Sequence, residues 1–165
     1  MSLSDRRRFL TLLAAGPLAA CGFVPAYGPN GPAHGLDGKI RIDDPTTKNA
    51  FDLVGRLEER LGRASNPAWR LGYSISADQI GLGITSSNAI TRYNVTGDVS
   101  YSLHLISTDQ TVASGRVRNF TSYSASGTVV STAASERDAY ERLMRMLADQ
   151  IVTELIASAA GWAHP

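Results

Sequence analysis

Cysteine occurs once in the 165 residues, as Cys21, which leaves no partner for an internal disulfide and too few thiols for a cysteine metal cluster. Charge of one sign is not in excess either: sixteen Lys and Arg stand against fifteen Asp and Glu. Nucleic-acid binding through phosphates needs a basic surplus on one face, and this balance does not supply it. The apolar run Phe9 to Ala20 has only twelve residues and contains Thr11, well short of the ~20 that a spanning helix needs. Histidine is scarce. Of the three, His34 and His164 lie in segments with no predicted element, and His104 has no acid or nucleophile at a useful spacing. Metal-ligand spacing and a glycine-rich phosphate loop between a strand and a helix are also missing. These absences exclude a hydrolase built on a nucleophile–base pair, and predict no enzyme, no metal and no cofactor.

What is present begins at the N-terminus. Arg6-Arg7-Arg8 precede the short apolar run, which ends in Leu18-Ala19-Ala20-Cys21. A basic start, a short apolar centre and small residues before a cut describe a secretory signal. With cysteine as the first residue after the small pair, the segment resembles a bacterial lipoprotein signal, in which Cys21 is acylated, for example with palmitate, and anchors the chain. Arg6-Arg7-Arg8-Phe9-Leu10 fits a twin-arginine export motif and the n-region of a general signal equally. In bacterial lipoproteins an aspartate at the position of Gly22 resembles an inner-membrane retention mark, so its absence favours the outer membrane. Removing residues 1–20 takes three arginines and one aspartate, which brings the mature charge near −1.

The rest divides into a tether over residues 21–38, one domain over 39–160 and a tail over 161–165. The tether holds five Gly and three Pro in eighteen residues and spans roughly 60 Å if extended. Lys39 to Ile42 alternates as a short strand. Phe51, Val54, Leu57 and Leu61 recur at helical spacing, with Thr46 or Thr47 as a cap, Gly62 as a stop, and Arg56, Glu59, Arg60 and Arg63 on the other side. From Leu71 the period becomes two. Leu71, Tyr73, Ile75 and Ala77 share a face, and Ile80, Leu82 and Ile84 rejoin it if a bulge lies near Asp78-Gln79. Thr91 to Ile106 is the clearest strand, apolar at Tyr93, Val95, Val99, Tyr101, Leu103 and Leu105 and polar at Arg92, Asn94, Thr96, Asp98, Ser100, Ser102 and His104. A turn at Ser107 to Gln110 leads to a strand over Thr111 to Tyr123 with a bulge at Gly115. Ala134 to Ala159 is a second helix, apolar at Ala139, Leu143, Leu147, Ile151 and Leu155 and widened by Tyr140, Met144 and Ile156. These elements predict an α+β domain: a mainly antiparallel, mixed four-stranded sheet with both helices on its apolar face and the polar face uncovered.

Several stretches carry a family resemblance. They are Cys21-Gly22-Phe23-Val24-Pro25-Ala26-Tyr27-Gly28, Arg92-Tyr93-Asn94-Val95, Gly115 with Tyr123, Ala134-Ser135-Glu136-Arg137-Asp138-Ala139 and Leu147-Ala148-Asp149-Gln150-Ile151. In this order and spacing the chain resembles the LptE family of outer-membrane lipoproteins in lipopolysaccharide assembly. The resemblance implies a non-enzymatic partner of the large barrel LptD, which plugs the barrel lumen, assists its assembly and takes part in lipopolysaccharide insertion into the outer leaflet.

The hydroxyl- and amide-rich strand face at Asn94, Thr96, Ser100 and Ser102 suits a polar barrel lumen; a face left to solvent would look the same. Arg92, Arg116 and Arg118 are the candidates for lipopolysaccharide phosphates, since guanidinium binds phosphate bidentately; edge protection by charge is the other reading. An alternative from another class is an outer-membrane lipoprotein facing the periplasm that binds a small ligand in a concave, mostly apolar pocket.

Overall fold

The computed structural model describes residues 33–84 and 90–163, together with Pro25, Gly28, Pro29 and Gly31. Cys21 and its signal lie outside the described residues. The elements run β1 (Ile40–Ile42), α1 (Lys48–Leu61), β2 (Trp69–Ile84), β3 (Ile90–Leu105), β4 (Thr111–Ser124) and α2 (Val129–Ser158), with a 3₁₀ turn over Ala159–Gly161. The sheet order is β1-β2-β3-β4; β1 is parallel to β2 and the other neighbours are antiparallel. α2 lies over β3 and β4, and α1 lies beside it at β1.

Both helices form for local reasons that the sequence displays. Thr47 caps α1, its hydroxyl accepting the Ala50 N–H at 3.2 Å. The buried stripe is Ala50, Leu53, Val54, Leu57 and Leu61. Phe51, expected in that stripe, is 67% exposed, because it falls on the outer flank once Ala50 and Leu53 take the sheet side. α2 buries Ala139, Leu143, Leu147, Ile151 and Leu155, the stripe read from their spacing. It starts five residues earlier than expected. Thr128 caps it by accepting the Ser131 N–H at 3.2 Å, and the exposed Val129 and Val130 hide the start from any burial pattern. The helices are joined at Asp149, which takes a two-pronged grip from Arg56 at 3.0 and 3.1 Å and a bond from Arg60 at 2.8 Å. Hydrogen bonds from Arg56 to Asp149 and then Glu59 raise the Arg56 pKa above its ordinary value.

The sheet corrects two expected bulges. β2 and β3 keep one register from Trp69 opposite Leu105 to Leu82 opposite Arg92, so no bulge occurs at Asp78-Gln79. Ile80 and Leu82 therefore emerge on the polar face, 60% and 46% exposed. The reason is that the helices cover β3 and β4 but leave this part of β2 uncovered: from Asp78 to Gly83 none of its side chains is buried, so no core enforces alternation there. In the β3–β4 pair the register shift sits at Leu103/His104, opposite Val112, and not at Gly115.

Gly115 has another task. It lies directly opposite Tyr101, and a Cβ there would stand 2.6 Å from the Tyr101 hydroxyl and 2.7 Å from its ring. The ring is buried and cannot swing aside, since its hydroxyl donates to Glu154 Oε2 at 2.8 Å. Burial first, and then the Glu154 carboxylate, push the Tyr101 pKa upward. Gly115→Val should cost about 1–3 kcal/mol by overpacking and lower the melting temperature by about 4–12 °C. Adding Tyr101→Leu should recover part of that loss in a double-mutant cycle, and strictly additive losses would disprove the contact.

Gly97 plays the matching part beneath α2, where a Cβ would meet Leu147 Cδ1 at 2.9 Å and Leu143 Cδ2 at 3.0 Å. The absence of a side chain lets the helix cross β3 closely. Ala33 and Leu36, from the glycine- and proline-rich segment, are buried in the same core, as are Trp162 and Ala163 beyond α2. Trp162 meets Trp69 edge-on at 5.4 Å. No described helix is long and apolar enough to cross a membrane.

Candidate functional site: the open face of the sheet

Strand alternation sends the even-numbered residues of β2 and β3, and those of β4 from Ser114 onward, away from the helices. Across the middle strands they form rows: Ser74, Ser100 and Arg116; Ser76, Asp98 and Arg118; Asp78, Thr96 and Phe120. The opposite face carries the continuous core of Leu71, Val95, Val99, Leu103 and Val117 against both helices. One side of the sheet is therefore an uninterrupted apolar layer, and the other is rich in hydroxyl, amide and charged groups.

The structure brings Arg116 and Arg118 together and holds them on Asp98. Arg116 Nε lies 2.5 Å from Asp98 Oδ1, while Arg118 Nε and Nη2 lie 3.0 and 2.9 Å from Oδ2. Register explains the clamp, because Asp98 is directly opposite Arg118 and next to the Ser100–Arg116 row. The Asp98 side chain is 15% exposed, whereas the arginines remain 64% and 72% exposed. Arg116, more than Arg118, holds the Asp98 carboxyl below its ordinary pKa against an opposing effect of burial. In return, the Arg116 pKa is raised by Asp98. A depressed carboxylate keeps its charge below the ordinary carboxylate range, so the clamp persists there and loosens as pH falls through the folded-state value.

Arg92 does not join this group. It sits opposite Leu82 and Ser124, three rows and about 20 Å along β3 from Asp98. Its neighbours include the exposed apolar side chains Leu82 and, one row on, Ile80. His104 Nε2 lies 3.0 Å from Ser102 Oγ, and Nδ1 lies 3.4 Å from the Asp109 carbonyl and 4.0 Å from its carboxylate. The acid neighbour missing from the linear spacing is thus supplied by the turn, where Asp109 also receives Arg70 at 3.4 Å.

Sequence reasoning missed Asp98 as the partner of both arginines, although a signal for it existed. Pairing Val99 with Val117 in one buried row places Asp98 opposite Arg118. Two shallow depressions mark the open face. One, of about 270 Å³, is lined by Ser76, Asp78, Thr96, Asp98, Arg116 and Arg118. The other, of about 450 Å³, is lined chiefly by Asp43, Arg70, Ser74, Ser100, Ser102 and His104. Both are open and lined chiefly by polar side chains, unlike the enclosed, mostly apolar pocket a small-ligand carrier would need. Among the described residues no cluster of His, Cys, Asp and Glu is arranged to hold a metal.

Comparison with known proteins places this geometry. The LptE lipopolysaccharide-assembly family matches residues 39–155. Among solved structures, a candidate lipoprotein from Caulobacter crescentus CB15 superposes with a TM-score of 0.66 at 19% identity, covering 79% of this chain and 96% of that one. Rare lipoprotein B from Shewanella oneidensis gives 0.58 at 12% identity, covering 76% of this chain and 98% of that one. A minor lipoprotein from Acinetobacter baumannii gives 0.55 at 15%, covering 73% and 90%. At these identities the likeness is one of fold. No curated protein matches the chain by sequence. The family match begins one residue before β1 and ends three residues before the end of α2, taking in all four strands and both helices, and the chain accordingly belongs to the LptE lipopolysaccharide-assembly family of non-enzymatic lipoproteins.

Proposed function

We propose that the chain, anchored in the outer membrane through acylated Cys21, plugs the lumen of an LptD-type barrel, assists its assembly and takes part in inserting lipopolysaccharide into the outer leaflet. The observation that carries this reading is the two-sidedness of the sheet. A continuous core lies under one face, and hydroxyl, amide and charged groups line most of the other, with Ile80, Leu82 and Phe120 towards one end, on strands of 14 to 16 residues. A barrel lumen is polar, so a plug that fills it must present such a surface. Affinity purification of the tagged full-length lipoprotein from its own envelope tests this. A large outer-membrane barrel should co-purify, and its absence would refute the plug role.

Arg116 and Arg118 are the arginines best placed to meet lipopolysaccharide phosphates together, since Arg116 keeps two guanidinium nitrogens and Arg118 one beyond those bonded to Asp98. Charge reversal would crowd two new carboxylates against Asp98, so Arg116→Gln with Arg118→Gln is the cleaner variant. Lipopolysaccharide binding in vitro should weaken about tenfold at low salt, in line with the ~1.5–3 kcal/mol of a hydrogen bond to a charged group. The gap between variant and wild type should narrow at 1 M salt, where screening acts within about 3 Å. Equal binding by a folded variant would leave these arginines as protection of the β4 edge.

A further inference from the structure

The two long edges of the sheet are finished differently. β1 covers only Trp69 to Leu71 of β2. Its line ends with the Asp43 N–H donating to the Leu71 carbonyl, after which the chain turns away at Asp44-Pro45. That bond shows that Leu71 directs its main-chain groups outward, so strand alternation sends those of Tyr73, Ile75, Ala77 and Gln79 outward too. No β-strand pairs with them among the described residues. From Leu71 to Ile84 the strand contains no Lys, Arg or Pro, the usual guards of an exposed edge. The β4 edge is guarded. Asn119 Oδ1 accepts the Phe120 N–H at 2.9 Å, Arg142 donates to the Ser122 carbonyl at 3.4 Å, and Arg116 and Arg118 flank the strand.

We infer that the outer edge of β2, from Tyr73 to Gln79 and onward to Gly83, is a docking edge that takes an extended segment of the barrel partner as a fifth strand. The inference rests on the plug reading and names where the main chains meet. Two features select this occupant. An edge of eleven residues, about 36 Å long, offers far less than the ~800 Å² per partner of a stable standing interface. It therefore cannot hold two free copies together, but it can extend a larger contact already made by the open face. Asp78 is the one charge on the strand beyond Arg70; it is exposed and has no ion pair among the described residues. The incoming segment is then extended and carries a single charge, one Lys or Arg set against Asp78. Its main chain supplies the affinity and that cation fixes the register.

The test uses the full-length lipoprotein co-expressed with the barrel. Ala77→Pro removes only an outward N–H, a change that edge strands tolerate. The variant should keep its melting temperature within a few degrees and bring down at least tenfold less barrel. Hydrogen exchange on the wild-type pair gives an answer even if that variant misfolds. The segment over residues 73–79 should gain at least tenfold protection on association, and the β4 edge should not. A barrel recovered equally with wild type and Ala77→Pro, or no gain of protection over residues 73–79, overturns the docking edge alone. No barrel recovered with wild type overturns the plug reading and the docking edge with it.

Discussion

Leu147→Asp should strip the domain of a large share of its stability. Leu147 is fully buried, sits against the bare backbone of Gly97, and belongs to a core with no buried polar or charged side chain among the described residues. A carboxylate there finds no cation and no donor. It must stay charged and unpaired or take up a proton and still lack hydrogen-bond partners, at a cost of about 3–5 kcal/mol with the lost packing included. Domains of this kind are stable by only about 5–15 kcal/mol, so the loss is a large share of the total. Far-ultraviolet circular dichroism on heating should show a transition lowered by more than about 10 °C or none at all, and barrel co-purification should vanish with it. Met146→Asp, one residue away but 36% exposed, should change stability by under about 0.5 kcal/mol. An unchanged transition for Leu147→Asp would mean that the buried face of α2 is wrongly assigned.

Cys21→Ala should release the protein from the outer membrane. One buried acyl chain binds a bilayer only marginally, at about 0.8 kcal/mol per buried CH₂, whereas two or more anchor it stably. No described helix is long and apolar enough to cross a membrane. Fractionation should therefore find uncleaved precursor or soluble protein in place of outer-membrane protein. Mass spectrometry supplies the converse check, since an unmodified thiol on mature Cys21 would end the assignment.

The parts of the fold that the sequence shows well are those governed by local periodicity. The buried stripe of α2 was readable because Ala139, Leu143, Leu147, Ile151 and Leu155 repeat every four residues, and all of them are buried. The apolar side of β3 was readable because Val95, Val99, Tyr101 and Leu103 alternate with polar residues, and these too are buried. Ile80 and Leu82 mislead because an apolar side chain in a strand ordinarily marks the core face. They lie on the open face, along a stretch of β2 where no side chain is buried. Gly115 misled in another way. Glycine in a strand signals a bulge or a close approach, and only the position of Tyr101 tells which.

The site divides along the same line. Sequence alone determined that Arg116 and Arg118 share a face and that the strands are polar on one side, because each rests on neighbours a few residues apart. Only the tertiary structure decided that Asp98 lies between the two arginines, that Arg92 stands three rows away, and that the β2 edge is bare while the β4 edge is guarded. These depend on register and strand order. Both are set when distant rows such as Val99 with Val117 bury together under Leu143 and Leu147, and no local pattern records which rows will meet.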